Sequence, residues 1–217
     1  MKDIEAMLDS TIQEYYSKQY LTHQKKVIED NEKFSEDILM AENFISESNI
    51  SGNLVEIGSG NCRWFPHFEH RLNHYYGIDV NGVALSVAPK HPKLTTIEGN
   101  VFEDEIQLFQ SCSLNVAFFS FFLSHFSNRS IQILMEKLSA IKTIIIIDSF
   151  WGEKHKEKHL NKDLIVIKRK TSQSDYIHLP KRFFERDDIS DIFRSFGFSI
   201  DRFEQGQYWF ICIMKRD

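Results

Sequence analysis

Two short stretches combine side chains and spacing that can do chemistry. The first is Glu56-Ile57-Gly58-Ser59-Gly60, where a short apolar run from Leu54 ends in two glycines within three positions. Missing side chains let a backbone approach a ligand closely, and a helix beginning after such a turn presents free amides to it. The second is Ser124-His125, just past the apolar run Leu114 to Phe122. An imidazole titrates at about 6.5 when unperturbed, so His125 suits a general base near neutrality or a group that orients substrate. The plainer reading is that Ser124-His125 starts a helix and caps or packs it.

The elements that must position these residues are legible in the apolar pattern. Short apolar segments recur at Leu54 to Ile57, Tyr75 to Val80, Leu94 to Glu98, Leu114 to Phe122 and Thr143 to Asp148, with helix-length stretches between them. That alternation predicts an α/β, doubly wound, mostly parallel sheet with helices on both faces. Thr143-Ile144-Ile145-Ile146-Ile147 has no strongly polar face and is expected to be a central strand, with a helix before it at Ser130 to Ile141. Beyond Trp151 the pattern changes. Asp163 to Lys170 and Tyr176 to Phe184 alternate like half-exposed strands, Glu185 to Phe196 is amphipathic up to Gly197, and Phe198 to Phe203 and Tyr208 to Lys215 flank a hairpin-length turn. The expected sheet therefore has seven strands and an antiparallel C-terminal hairpin. One domain spans 1–217, with an N-terminal helical lid at 1–50, a cofactor-binding half at 51–150, and substrate-lid strands and hairpin at 151–217.

The glycine turn admits two registers. A dinucleotide fingerprint Gly-x-Gly-x-x-Gly would put its third glycine at Arg63, too bulky for close helix-to-strand contact. Glu56-Ile57-Gly58-Ser59-Gly60 instead resembles motif I of the class I (Rossmann-like) S-adenosylmethionine-dependent methyltransferases. The resemblance extends over about residues 40 to 217 and resembles the small-molecule type. It implies that Asp79, ending Tyr76-Gly77-Ile78-Asp79 about 20 residues past the turn, takes both ribose hydroxyls. It also implies cofactor contacts from Glu56, Gly58, Ser59, Gly60, Val80, Asn100, Val101 and Phe119. Asn100 stands where the family more often has Asp, and its side-chain oxygen can accept from the adenine amino group. Leu123-Ser124-His125 resembles the Leu-Ser-His found after the fourth strand of small-molecule methyltransferases, and the Pro-Pro-aromatic motif of nucleic-acid amino methyltransferases is absent.

Composition narrows the partners. A formal net charge of −5 argues against a general nucleic-acid binder, since phosphate contacts need a basic face. The runs Lys154 to Lys162 and Lys168-Arg169-Lys170 read as solvated surface. No stretch approaches the roughly 20 apolar residues that cross a bilayer, and Met1-Lys2-Asp3-Ile4-Glu5 lacks a signal-peptide pattern, so no membrane partner and a cytoplasmic location are expected. Cys62, Cys112 and Cys212 are scattered, which predicts reduced thiols and no metal site; Asp148 alone sits near a strand end where a metal-dependent enzyme would place a ligand. Tyr15, Tyr16, Tyr20 and Trp64 form either a substrate lid or core, and Phe119 and Phe122 are placed to approach the cofactor or acceptor. The expected activity is methyl transfer from S-adenosylmethionine to an oxygen or nitrogen of a small metabolite. A nicotinamide-dependent oxidoreductase and a non-catalytic module that kept the cofactor fold stay as alternatives.

Overall fold

Apolar runs of strand length and amphipathic stretches of helix length fold into one sheet with helices packed on it. The computed structural model describes residues 34–110, 113–156, 165–170 and 176–216. In chain order the elements are α1 (Ser35–Glu47), β1 (Gly52–Ile57), α2 (Phe65–Phe68), β2 (Leu72–Asp79), α3 (Gly82–Ser86), β3 (Leu94–Glu98), β4 (Leu114–Ser120), α4 (Asn128–Lys137), β5 (Thr143–Ser149), α5 (Glu153–Lys156), β6 (Ile165–Lys170), β7 (Tyr176–Lys181), α6 (Arg186–Arg194), β8 (Phe198–Gln205) and β9 (Trp209–Arg216). Single 3-10 turns lie at Gln107–Gln110 and Leu123–His125.

The main sheet has seven strands in the order β3-β2-β1-β4-β5-β9-β8. Strands β1 to β5 pair in parallel, and β9 inserts antiparallel between β5 and β8. This is the expected mostly parallel sheet with an antiparallel C-terminal hairpin. The isoleucine run in β5 is wholly buried, as a strand covered on both faces requires, whereas edge strand β3 is largely exposed. Helices α1 and α2 cover one face, burying Ala41, Phe44, Phe65 and Phe68 against Leu54, Phe118 and Ile145. Helices α4 and α6 cover the other, burying Ile131, Leu134, Ile189 and Phe193 against Val55, Ala117 and Ile146.

Local differences have local causes. Helix α4 begins at Asn128, earlier than the expected Ser130, because Ser127 accepts from the Ser130 N–H and caps it. Helix α6 begins with a reciprocal box between Glu185 and Asp188 and ends before Gly197, whose φ of +78° few other residues adopt. Among the described residues, strands β6 and β7 pair only with each other, as a separate antiparallel sheet. In the expected N-terminal lid, Ser35–Glu47 is a core helix, and Tyr15, Tyr16 and Tyr20 lie outside the described residues. Trp64 is core as well: its indole N–H donates to the Ser120 hydroxyl at 2.7 Å and its ring meets Phe118 edge-on. Among the described residues, no helix is long and apolar enough to cross a membrane and no group of three or more His, Cys, Asp and Glu could hold a metal ion.

Candidate cofactor and acceptor site

Strand order reverses between β1 and β4, and in doubly wound sheets ligands lie beyond the carboxyl ends of strands at such a point. The glycine turn leaves β1 there. The N–H groups of Gly58 and Ser59 both donate to the Ile78 carbonyl, at 2.9 and 3.0 Å, which locks the turn to β2. Gly58 and Gly60 have φ of +72° and +54°, conformations costly for other residues. Their surroundings differ. A Cβ at Gly58 would collide with the Phe122 ring, while one at Gly60 would meet no atom within 4 Å. The backbone at Gly60 therefore borders open space.

Asp79 ends β2 beside that space. Its Oδ2 accepts from Gly60 N at 2.8 Å and its Oδ1 accepts from Asn81 N at 2.9 Å. Burial pushes its carboxyl above the ordinary carboxylate range, opposed by the bonds from Gly60, Asn81 and Val80 N–H groups. Asp79 is not the cap of the next helix; Asn81 is, accepting from Ala84 N at 3.0 Å. Sequence reasoning passed over Asn81, although Asn followed by Gly at a helix start is a common cap signal. Across the opening, Asn100 is half-buried and accepts from Phe102 N at 3.0 Å through its side-chain oxygen.

Four expected cofactor contacts lie inside the wall. Glu56 is 1% exposed, and its carboxyl accepts from the Tyr75 hydroxyl at 2.5 Å, beneath the turn. Burial raises its pKa to about 8, opposed by that hydrogen bond and by Arg63, while Asp79 adds to the rise. The Ser59 hydroxyl is turned inward against the Cys62 thiol, whose pKa burial pushes up to about 12. Val101 is buried, and its carbonyl accepts from the Lys137 ammonium at 2.8 Å. Phe119 is 0% exposed because β4 is central and, from Val116 to Phe119, buried on both sides. It packs in the core beneath the opening. Phe122 is the phenylalanine at the opening: it abuts Gly58 and approaches Phe102 and Phe126, with ring centroids at 6.3 and 4.5 Å. Gly58, Gly60, Asp79, Val80 and Asn100 are the partly exposed members of the set.

His125 closes the 3-10 turn after β4, donating its N–H to the Phe122 carbonyl at 3.2 Å, and is 8% exposed. It precedes α4 by a turn and does not start it, since Ser127 is the cap. Helix α5 and the first residue of β9 bring further aromatics: His155 lies 4.1 Å from Phe183, and Phe121 packs 4.5 Å from Trp209 between ring centroids.

A search of solved structures returns chains with the same strand arrangement over most of their length. DhpI, solved as a complex with SAM and HEP, has a TM-score of 0.78 at 14% identity, covering 96% of this chain and 97% of that one. The magnesium protoporphyrin IX methyltransferase ChlM from Synechocystis PCC 6803, with bound SAH, has a TM-score of 0.65 at 12% identity over 96% and 100%. This chain has the fold of the S-adenosylmethionine-dependent methyltransferases. A methyltransferase of that dependence from Methanosarcina mazei is a third example, at TM-score 0.60 and 13% identity over 76% and 92%. No protein-family profile and no curated protein matches the sequence. The expected fold class is thus met by whole-chain structural likeness, at identities too low for sequence comparison to detect.

Proposed function

We propose that the chain transfers a methyl group from S-adenosylmethionine to an oxygen or nitrogen of a small metabolite, leaving S-adenosylhomocysteine. The observation that carries this reading is the Asp79 carboxylate held beside the open backbone of Gly60. The carboxylate already accepts from the Gly60, Asn81 and Val80 N–H groups, and what remains of its roughly four lone-pair sites is assigned to the ribose hydroxyls. Gly58 and Gly60 give the close backbone approach, Val80 and Asn100 flank the base, and the Asn100 side-chain amide is assigned to the adenine edge.

Bound S-adenosylmethionine supplies a methyl on a sulfonium, transferred by in-line displacement. The protein's part is then to hold the acceptor in line, exclude water and receive one proton. His125, at the carboxyl end of β4, is the residue assigned to take that proton at its imidazole or to orient the acceptor. The lid expected at 1–50 lies mostly outside the described residues, and the chain is read as one domain working on a small molecule in the cytoplasm, without nucleic acid or membrane. The nicotinamide reading fits less well, because the position needing a third glycine holds Arg63, partly buried over the Trp64 ring at 4.9 Å.

The test is turnover. Purified protein incubated with methyl-labelled S-adenosylmethionine and a metabolite extract should yield a labelled small molecule by mass spectrometry together with S-adenosylhomocysteine. Labelled nucleic acid with no labelled metabolite, or no transfer from any extract, contradicts the proposal.

A further inference from the structure

One buried charged cluster lies outside the cofactor pocket and is used by nothing described so far. Asp148, near the end of β5, is 0% exposed, and Lys181, the last residue of β7, is buried beside it with Nζ 3.5 Å from Asp148 Oδ1. A buried acid at the end of an isoleucine run demands a partner, and here the partner comes from a different sheet. Between them stands Ser124, also 0% exposed. Its N–H donates to Asp148 Oδ2 at 2.9 Å, its hydroxyl accepts from Lys181 Nζ at 2.6 Å, and its carbonyl accepts from Arg182 N at 2.9 Å. Every polar group of Ser124 is thus held, two of them from the end of the β6–β7 hairpin. Asp148 is itself fixed through Ser149 N at 2.7 Å.

Ser124 is the middle residue of the turn that ends in His125. A turn gripped at N–H, hydroxyl and carbonyl cannot rotate without breaking a charge-assisted bond, so the backbone carrying His125 moves only if the hairpin end moves with it. We infer that Lys181, with Asp148 as its counter-ion, is a positioning residue that couples the β6–β7 hairpin to the His125 turn and so to the acceptor side of the reaction. The inference rests on the methyltransferase reading for its consequence, though the coupling itself does not. Lys181 acts through Ser124 and is not placed in contact with reacting atoms.

The test uses the full chain and three readouts on Lys181→Met, Lys181→Arg and Ser124→Ala. Calorimetry with S-adenosylhomocysteine reads the cofactor pocket, transfer of labelled methyl into extract reads turnover, and the His125 imidazole resonance, assigned by its loss in His125→Gln, reads the turn directly. Lys181→Met should leave cofactor affinity within about twofold, lower transfer at least 30-fold and shift or broaden the His125 resonance. Lys181→Arg, which keeps the cation, should recover part of both. Ser124→Ala removes only the hydroxyl acceptor and should move the same resonance less, which keeps the test open if Lys181→Met does not fold. An unmoved His125 resonance in folded Lys181→Met or in Ser124→Ala overturns the coupling, as does an equal loss of cofactor affinity and transfer. Wild-type protein that fails to bind S-adenosylhomocysteine instead overturns the methyltransferase reading, and the His125 resonance still decides the coupling.

Discussion

The backbone N–H of Gly60 donates to the carboxylate of Asp79 at 2.8 Å, joining the glycine turn after β1 to the acid that ends β2. One bond thereby fixes both the shape of the turn and the direction of the carboxylate, before any ligand arrives. Preorganised acceptors of this kind lose little freedom on binding.

The two glycines of the turn should separate in their effects. Gly58→Ala drives a methyl into the Phe122 ring at positive φ, so it should lower the unfolding free energy by more than the roughly 1–2 kcal/mol of left-handed strain alone. Gly60→Ala carries the strain without a clash, yet its methyl fills the open space. Denaturant melts should show the smaller loss for Gly60→Ala, and calorimetry should show the larger loss of S-adenosylhomocysteine affinity relative to stability. Equal affinity in Gly60→Ala and wild type would mean that no ligand sits over this backbone.

Glu56 gives a pH signature. Its folded pKa, raised to about 8 from an ordinary value near 4.5, means the folded protein holds a proton that the unfolded chain releases between those values. The stability tied to that proton is fully present below about 4.5 and is lost as pH rises through about 8. Thermal melts of the wild type should therefore decline from pH 6 to 9. Glu56→Gln, which cannot ionise, should flatten that decline; an identical slope in the variant would show that Glu56 is charged in the folded protein.

His125→Ala discriminates between base and orienter. Loss of a general base should cut the transfer rate about 100-fold or more with cofactor affinity nearly unchanged. Loss of an orienting contact should appear in the apparent acceptor KM instead. A variant with normal rate and normal KM would leave proximity and orientation alone to account for transfer.

What the sequence made legible follows from how local each signal is. The β5 isoleucine run, the turn at Gly58 to Gly60 and the acid at Asp79 each sit in a few adjacent residues, and each falls where its local chemistry placed it. The burial of Phe119 was not legible, because strand alternation marks an open face only where one side of a sheet is solvated, and β4 is buried on both sides from Val116 to Phe119. The buried setting of Glu56 was not legible either, because its partner, the Tyr75 hydroxyl, is 19 residues away on the neighbouring strand. The cluster of Asp148, Ser124 and Lys181 joins positions separated by 24 and 57 residues, so no window of sequence contains it. One signal was present: an Asp ending an all-apolar buried strand requires a cationic or hydrogen-bonding partner.

The central claim is that Asp79 and the Gly60 turn bind the adenosine of S-adenosylmethionine, and calorimetry of S-adenosylhomocysteine against wild type and Asp79→Ala tests it most directly. Wild type should bind S-adenosylhomocysteine in preference to NAD, and binding should weaken as pH falls through the raised Asp79 pKa, where the carboxylate is protonated. Asp79→Ala should weaken binding by about 1.5–3 kcal/mol, the range for hydrogen bonds to a charged group. Unchanged S-adenosylhomocysteine affinity in a folded Asp79→Ala, or tighter binding of NAD by the wild type, would contradict the account.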